Sequence, residues 1–295
     1  MSALDTVLSW LVLFVPVMLA IVLHEIAHGC AALWFGDTTA KRAGRLSLNP
    51  LRHVDAVGTV LFPLLLVLSG LPFVFGWAKP VPVNFARLKD PKKDMVRVAL
   101  AGPLTNLLLA LAAFFVLSVC KNVLHVLPPA PLAQFLVNTI VFNLSVMVFN
   151  LIPVLPLDGG RILTGLLPLP LALRFARTEK YGMGIMVFLL IFLPAFGGYS
   201  GTDLDVVSNF MGRCVRFLMV NLGYFFGLDG GNKLMSIGFF QLMVILLIVL
   251  VLFGRGKLPA LAEDLGKSFS AFKKGLKDGE DDKPAADRSD EKQDK

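Results

Sequence analysis

Cysteine and carboxylate are both scarce in this chain of 295 residues. The three cysteines, Cys30, Cys120 and Cys214, are scattered and form no C-x-x-C pair, which excludes a disulfide framework. Cys30 lies two residues past His28 on a helical run and faces away from it, so it is a poor ligand. Between Glu25 and Glu179 the only carboxylates are Asp37, Asp55, Asp90, Asp94 and Asp158. No Lys or Arg precedes the first apolar run, so a cleaved signal peptide is not expected. Charged residues make up 17% of the chain, and the net charge of +7 is no nucleic-acid footprint. Most basic residues sit in short loops beside apolar segments, where the positive-inside rule accounts for them.

What the chain has in abundance is apolar sequence, at 56%. Soluble domains reach about 45–50% even with glycine counted, so this composition indicates a membrane protein. Long apolar runs cover about 7–35, 56–76, 98–118, 132–155, 182–197 and 236–253. A weaker run at 206–227 carries Arg213 and Arg216. Each full-length run is close to the roughly 20 residues needed to cross a bilayer.

The first run carries His24-Glu25-Ile26-Ala27-His28, an H-E-x-x-H motif. Ionisable groups at membrane depth cost a few kcal/mol each, so they mark a functional site. At spacing i, i+4 both imidazoles leave one helix face and can grip one metal ion. Glu25 is rotated by about 100° from His24, within reach of a metal-bound water without being a ligand.

Charge predicts the topology. Loop 36–55 carries Lys41, Arg42, Arg45 and Arg52, and loop 77–97 carries Lys79, Arg87, Lys89, Lys92, Lys93 and Arg97. Both should be cytoplasmic. Run 56–76 should then enter the membrane and return, and Pro63, Gly70 and Pro72 suit a broken hairpin buried against protein. Trp77–Phe85, with Val81 and Val83 alternating around prolines, reads as an edge strand.

A catalytic zinc site needs a third protein ligand and an open fourth position. Asp158 alone among the carboxylates ends a long apolar helix, where Pro153, Pro156, Gly159 and Gly160 break the backbone and can bend it inward. His24 and His28 lie nearer the 36–55 end of their helix. Asp158 shares that side only if 56–76 turns back, so charge and ligand geometry agree. His53 is the competing ligand, more readily an interfacial loop histidine, and His125 falls on the outer side.

His24-Glu25-x-x-His28 and Asn150-x-x-Pro153-x-x-Pro156-Leu157-Asp158-Gly159 resemble the site-2 protease family of intramembrane zinc metalloproteases. Ala101-Gly102-Pro103-Leu104-Thr105-Asn106 matches a further segment of that family. The resemblance implies His24, His28 and Asp158 as Zn2+ ligands and Glu25 as general base. It implies Asn150 as a group that holds the substrate backbone or the oxyanion. Transmembrane helices that unwind locally would be the substrates, and 77–85 could pair with them. A zinc or proton transporter and a proteolytically idle scaffold are the readings from other classes. The absence of an internal repeat counts against the transporter.

The style changes after Asp229-Gly230-Gly231-Asn232. Leu242–Phe253 is an unbroken apolar stretch, short for a bilayer core of about 30 Å. Gly254-Arg255-Gly256-Lys257 makes a hinge before Pro259. Leu258, Leu261, Ala262, Leu265, Phe269, Phe272 and Leu276 then line one face, with Lys267, Lys273 and Lys274 on the other, as in an interfacial helix. Phe253-Gly254-Arg255-Gly256-Lys257-Leu258-Pro259 and Phe272-Lys273-Lys274-Gly275, with the acidic run that follows, resemble the A/E-type subunit of the twin-arginine translocase. That implies an outside start, a cytoplasmic amphipathic helix, and self-association or contact with translocase subunits through 235–276. Run 206–227 should then lie on the outer surface without crossing.

The expected architecture is an all-α polytopic membrane bundle with a re-entrant hairpin and short edge strands, followed by an L-shaped pair of short transmembrane and amphipathic helices. Its divisions are 1–230, 235–277 and a disordered charged tail, 278–295. The expected location is a bacterial-type inner membrane, with the N-terminus outside and the site near the cytoplasmic face.

Overall fold

The computed structural model describes residues 3–68, 76–200, 202 and 204–228. The expected tail helices, the charged tail and the tip of the 56–76 hairpin lie outside the described residues. Ten α-helices occur among the described residues: α1 (Ala3–Trp34), α2 (Thr39–Arg42), α3 (Phe62–Leu68), α4 (Pro91–Ser118), α5 (Ala130–Asn150), α6 (Asp158–Leu166), α7 (Leu169–Ala176), α8 (Glu179–Val187), α9 (Leu193–Ser200) and α10 (Val206–Phe225). Short π-helical stretches, Ala56–Leu61, Val119–Val123 and Phe188–Phe192, lead into α3, extend α4 and join α8 to α9. Four helical stretches are long and apolar enough to cross a membrane: Asp5–Trp34, Pro91–Val123, Ala130–Asn150 and Glu179–Gly197. Leu11, Phe14 and Leu108 are exposed on them, as lipid-facing side chains are.

The site stands in a three-helix core of α1, α4 and α5. Going up α1 from His28 to His24 and Ala20, the partners on α4 step from Val98 to Asn106, so these two helices are antiparallel. Ala110, Ala113 and Phe114 of α4 pack with Leu136, Ile140, Leu144 and Met147 of α5. Helix α4 starts where Asp90 caps the Lys93 N–H and Pro91 occupies the first turn, where its missing N–H costs nothing.

Apolar run 56–76 turns back. The Trp77 N–H donates to Gly58 C=O at 3.0 Å, and the Lys79 N–H to His53 C=O at 2.9 Å, so the return strand of chain lies beside the entry. Gly58 lacks a Cβ, and the Trp77 indole fills that space. Ala56–Leu68 is correspondingly too short to span.

Two details differ from the sequence expectation. No strand forms among the described residues, and 77–84 is extended without a ladder. Pro80 and Pro82 have no N–H, and side chains take the neighbouring donors: Glu25 accepts from Val81 and Asp37 from Asn84. Helix α10 packs in the bundle instead of lying across its end. Met211 and Gly212 border the same hollow as Ser145, Val215 joins the α4–α5 cluster, and Phe226 stacks on Phe114. Arg213 and Arg216 remain exposed while Val215 between them is buried, so an amphipathic face is what seats this helix.

Candidate metal centre

His24 and His28 leave α1 one turn apart with their ring planes at 87° and centroids 4.6 Å apart. Their Nε2 atoms are 3.0 Å from each other, and each lies 3.2 Å from Asp158 Oδ2. All three residues are buried, at 5%, 9% and 8% exposure. Among the described residues this is the one cluster of three His, Cys, Asp or Glu side chains able to hold a metal ion.

The hydrogen bonds behind the rings fix which nitrogens face the cluster. His28 Nδ1 lies 2.7 Å from the Val98 carbonyl, which can only accept, so His28 is protonated at Nδ1. His24 Nδ1 lies 2.6 Å from Asn106 Oδ1. The Asn106 amide cannot be reversed, because its Nδ2 donates to Ala20 C=O at 3.0 Å and to Asn143 Oδ1 at 2.8 Å. His24 is therefore also protonated at Nδ1. Both Nε2 atoms then present bare lone pairs to each other and to Asp158 Oδ2, which is buried with no hydrogen-bond donor. Three buried lone pairs converging this closely repel unless a cation joins them. Two neutral imidazoles and one carboxylate form a donor set suited to catalytic zinc. Partners on the far ring nitrogen, as seen here, are usual for metal-binding histidines.

Two glycine features admit this geometry. A Cβ on Gly102 of α4 would collide with both imidazoles, so only glycine lets α4 approach the rings. Asp158 opens α6 after the turn at Leu151–Leu157, and a Cβ on Gly159 or Gly160 would meet the Ile152 carbonyl at 2.5 Å or Leu155 N at 2.6 Å. This close packing of α6 on the preceding turn carries Asp158 back to the α1 histidines.

Glu25 is half-buried, and its Oε2 accepts the Val81 N–H at 2.7 Å. Asn150 stands at the C-terminal end of α5, and its Nδ2 donates to Val146 C=O within its own helix. His53 is buried, with Nε2 2.8 Å from the Ser47 carbonyl, and is not part of the cluster. His125 follows the C-terminal end of α4. Near the site, Asp37 ties the loop after α1 to the extended segment, accepting from Thr39 and from the Asn84 N–H. Burial pushes the Asp37 carboxyl up, but the Thr39 and Asn84 donors outweigh it and hold the carboxyl below the usual carboxylate range.

Sequence reading singled out Gly102 and Asn106 only as part of a matching family segment, read Val81 as part of an edge strand, and did not mention Asn143. Asn106 and Asn143 did carry a signal, as amides amid apolar helices, where a polar group needs a partner. The roles of Gly102 and Val81 depend on how closely two segments approach, and no spacing encodes that.

The model of peptidase family M50 matches residues 125–193, and that of the mttA/Hcf106 family matches 235–282. YwhC of Bacillus subtilis (strain 168), named as a provisional zinc metalloprotease, is 39% identical over 194 residues, covering 63% of this chain and 82% of YwhC. Rip2 of Mycolicibacterium smegmatis, named in the same provisional way, is 30% identical over 234 residues, covering 73% of this chain and 86% of Rip2. The Sec-independent protein translocase protein TatA of Rickettsia typhi is 50% identical over 48 residues, 16% of this chain and 91% of that protein. No solved structure matches.

Proposed function

The chain belongs to peptidase family M50, with a segment of the mttA/Hcf106 family at 235–282, and from that premise we propose that it is a zinc endopeptidase of the site-2 type. It hydrolyses peptide bonds within or beside transmembrane helices. The observation that carries this reading is the meeting of His24 Nε2, His28 Nε2 and Asp158 Oδ2 with no donor between them. These three residues hold the ion, and Glu25 is the base.

Zinc, when bound there, brings the pKa of water toward about 7 and polarises a carbonyl. Glu25 Oε1 takes the proton of the attacking water and passes it to the departing amine nitrogen. Oε2 stays with the Val81 N–H. Val98 and Asn106 keep the two imidazoles in the tautomer that leaves Nε2 free. The helices exclude bulk water from the ligands, and the substrate helix unwinds locally to offer its carbonyl. Asn150 reaches a substrate by exchanging its bond to Val146 for one to the substrate backbone.

The site lies at the end of the bundle that carries the basic loops 36–55 and 77–97, which supports a cytoplasmic site and an outside N-terminus. Gly227 lies by Asn122 at the opposite end, which favours an outside start for the 235–253 run. The 235–276 segment associates with copies of itself or with translocase subunits.

Purified protein should contain about one zinc per chain, as expected for a three-ligand site. Glu25→Gln should keep the zinc and lose cleavage of a transmembrane-helix substrate. Undiminished cleavage by that variant overturns Glu25 as base, and zinc flux without cleavage favours transport. Complementation of a translocase-deficient cell by 235–295 alone tests the second segment.

A further inference from the structure

Glu25 of α1 does not stand free beside its histidines. Its Oε2 accepts the main-chain N–H of Val81, 56 residues away, at 2.7 Å. Pro80 and Pro82 have no N–H, so Val81 supplies the one backbone donor of the Pro80-Val81-Pro82 tripeptide. The Val81 side chain is 6% exposed and sits over Gly29, one turn beyond Glu25 on the same helix. A Cβ on Gly29 would meet Leu46 in collision, Val81 Cγ1 at 3.0 Å and Ala40 Cβ at 3.2 Å.

The segment that presents this donor is held on both sides. On one side, the Trp77 and Lys79 N–H groups donate to Gly58 and His53, the Thr59 hydroxyl donates to Trp77 C=O at 2.8 Å, and Arg45 Nη2 donates to Lys79 C=O at 2.6 Å. On the other side, the Asn84 N–H donates to Asp37 Oδ2 at 2.7 Å. The Val81 N–H is thus a fixed dipole that cannot titrate.

From these contacts we infer that Val81 is a positioning residue for Glu25. It pins one carboxylate oxygen, Oε2, and leaves Oε1 for the proton of the water. A glutamate has three rotatable bonds, and freezing them ahead of reaction removes an entropy cost from the reacting state. The bond ties the Glu25 side chain to a main-chain donor that the segment's own contacts hold in place. The register of the extended segment therefore sets the aim of the base. This inference rests on Glu25 being the base of the proposed reaction.

Two measurements on the full-length protein test it. The first needs no activity: amide exchange at Val81 should be slow in the wild type and at least about tenfold faster in Glu25→Ala, as expected for loss of a protecting hydrogen bond. Exchange that is fast in the wild type, or unchanged in Glu25→Ala, overturns the contact. The second compares Val81→Pro, which deletes the N–H, with Val81→Ala, which keeps it and trims the side chain. Val81→Pro should lower kcat by roughly 10–100-fold relative to Val81→Ala, with KM and zinc content unchanged. Equal kcat values overturn the positioning role. If Val81→Pro does not fold, the exchange comparison still decides. Cleavage that survives in Glu25→Gln defeats the reading of Glu25 as base and leaves the exchange result standing, so the two failures are distinguishable.

Discussion

Asn106 and Asn143, both at 0% exposure, are joined by a 2.8 Å hydrogen bond in which Asn106 donates and Asn143 accepts. Asn143 in turn donates to the Thr139 carbonyl, and Asn106 accepts from His24. A directed chain of donors thus runs from the imidazole on α1 through α4 to α5, with no polar atom reversed.

Asn106→Leu should remove the acceptor that fixes the His24 tautomer. Zinc affinity, measured against a competing chelator, is expected to fall by roughly 10–100-fold. Asn143→Leu should have a smaller effect on zinc, because His24 keeps its direct partner. Both variants should lose about 1–3 kcal/mol of stability through stranded buried amide groups.

Gly102→Ala separates helix stability from site geometry. Alanine favours a helix by about 1 kcal/mol over glycine, so α4 itself should not weaken. The added methyl group is driven into both imidazoles. Zinc content should fall well below one per chain, and cleavage should drop by roughly 100-fold, as expected when ligands are displaced by about 1 Å. Normal zinc content in this variant would refute the cradle role of Gly102.

Metal removal should destabilise the protein as well as silence it. Zinc at about 100 times its dissociation constant should stabilise the fold by about 2.7 kcal/mol, read as a rise in Tm. A chelator should reverse that rise. In His28→Ala the zinc-dependent rise should disappear, and the variant should melt alike with and without zinc.

Asp37 gives a pH signature away from the metal. Its carboxyl is held below the usual range in the folded protein. The stabilisation is therefore complete above the unfolded value of about 3.9 and is lost as pH falls through the lower folded value. The Tm difference between wild type and Asp37→Asn should be constant from pH 7 down to about 4.5, narrow as pH falls past the unfolded value of about 3.9, and vanish only below the lower folded value. A gap that closes near neutrality would assign the effect to another group.

Much of the centre was legible because local periodicity encodes it. The i, i+4 spacing of His24 and His28 survives any detail of packing, and prolines and glycines marked the bend at Asp158. The hairpin at 56–76 was legible from charge alone, since basic loops on both sides leave the chain one way to return. The edge strand was misread because alternation of Val81 and Val83 says nothing of partners, and Glu25 and Asp37 take the donors that a neighbouring strand would need. Helix α10 was misplaced because its position was inferred from the outside start expected for the next apolar run, which bears on the side where the helix ends and not on how it packs. Val215, between Arg213 and Arg216, faces the opposite way and seats the helix.

The donor chain through Asn106 and Asn143 also constrains how the helices come together. Asn106 reaches the Ala20 carbonyl, and Asn138 reaches the Val12 carbonyl at 3.0 Å, so two amides grip the backbone of α1 two turns apart. In lipid, apolar side chains give no preference for one facing of a helix over another, because tails solvate every rotation alike. Rotating α1 about its axis or sliding it by one residue would strand these amides in hydrocarbon. The contacts that aim His24 thus work as an assembly key. A chain whose helices insert without finding this register lacks a metal centre as well, so faulty assembly produces an inert protein instead of a misdirected hydrolase.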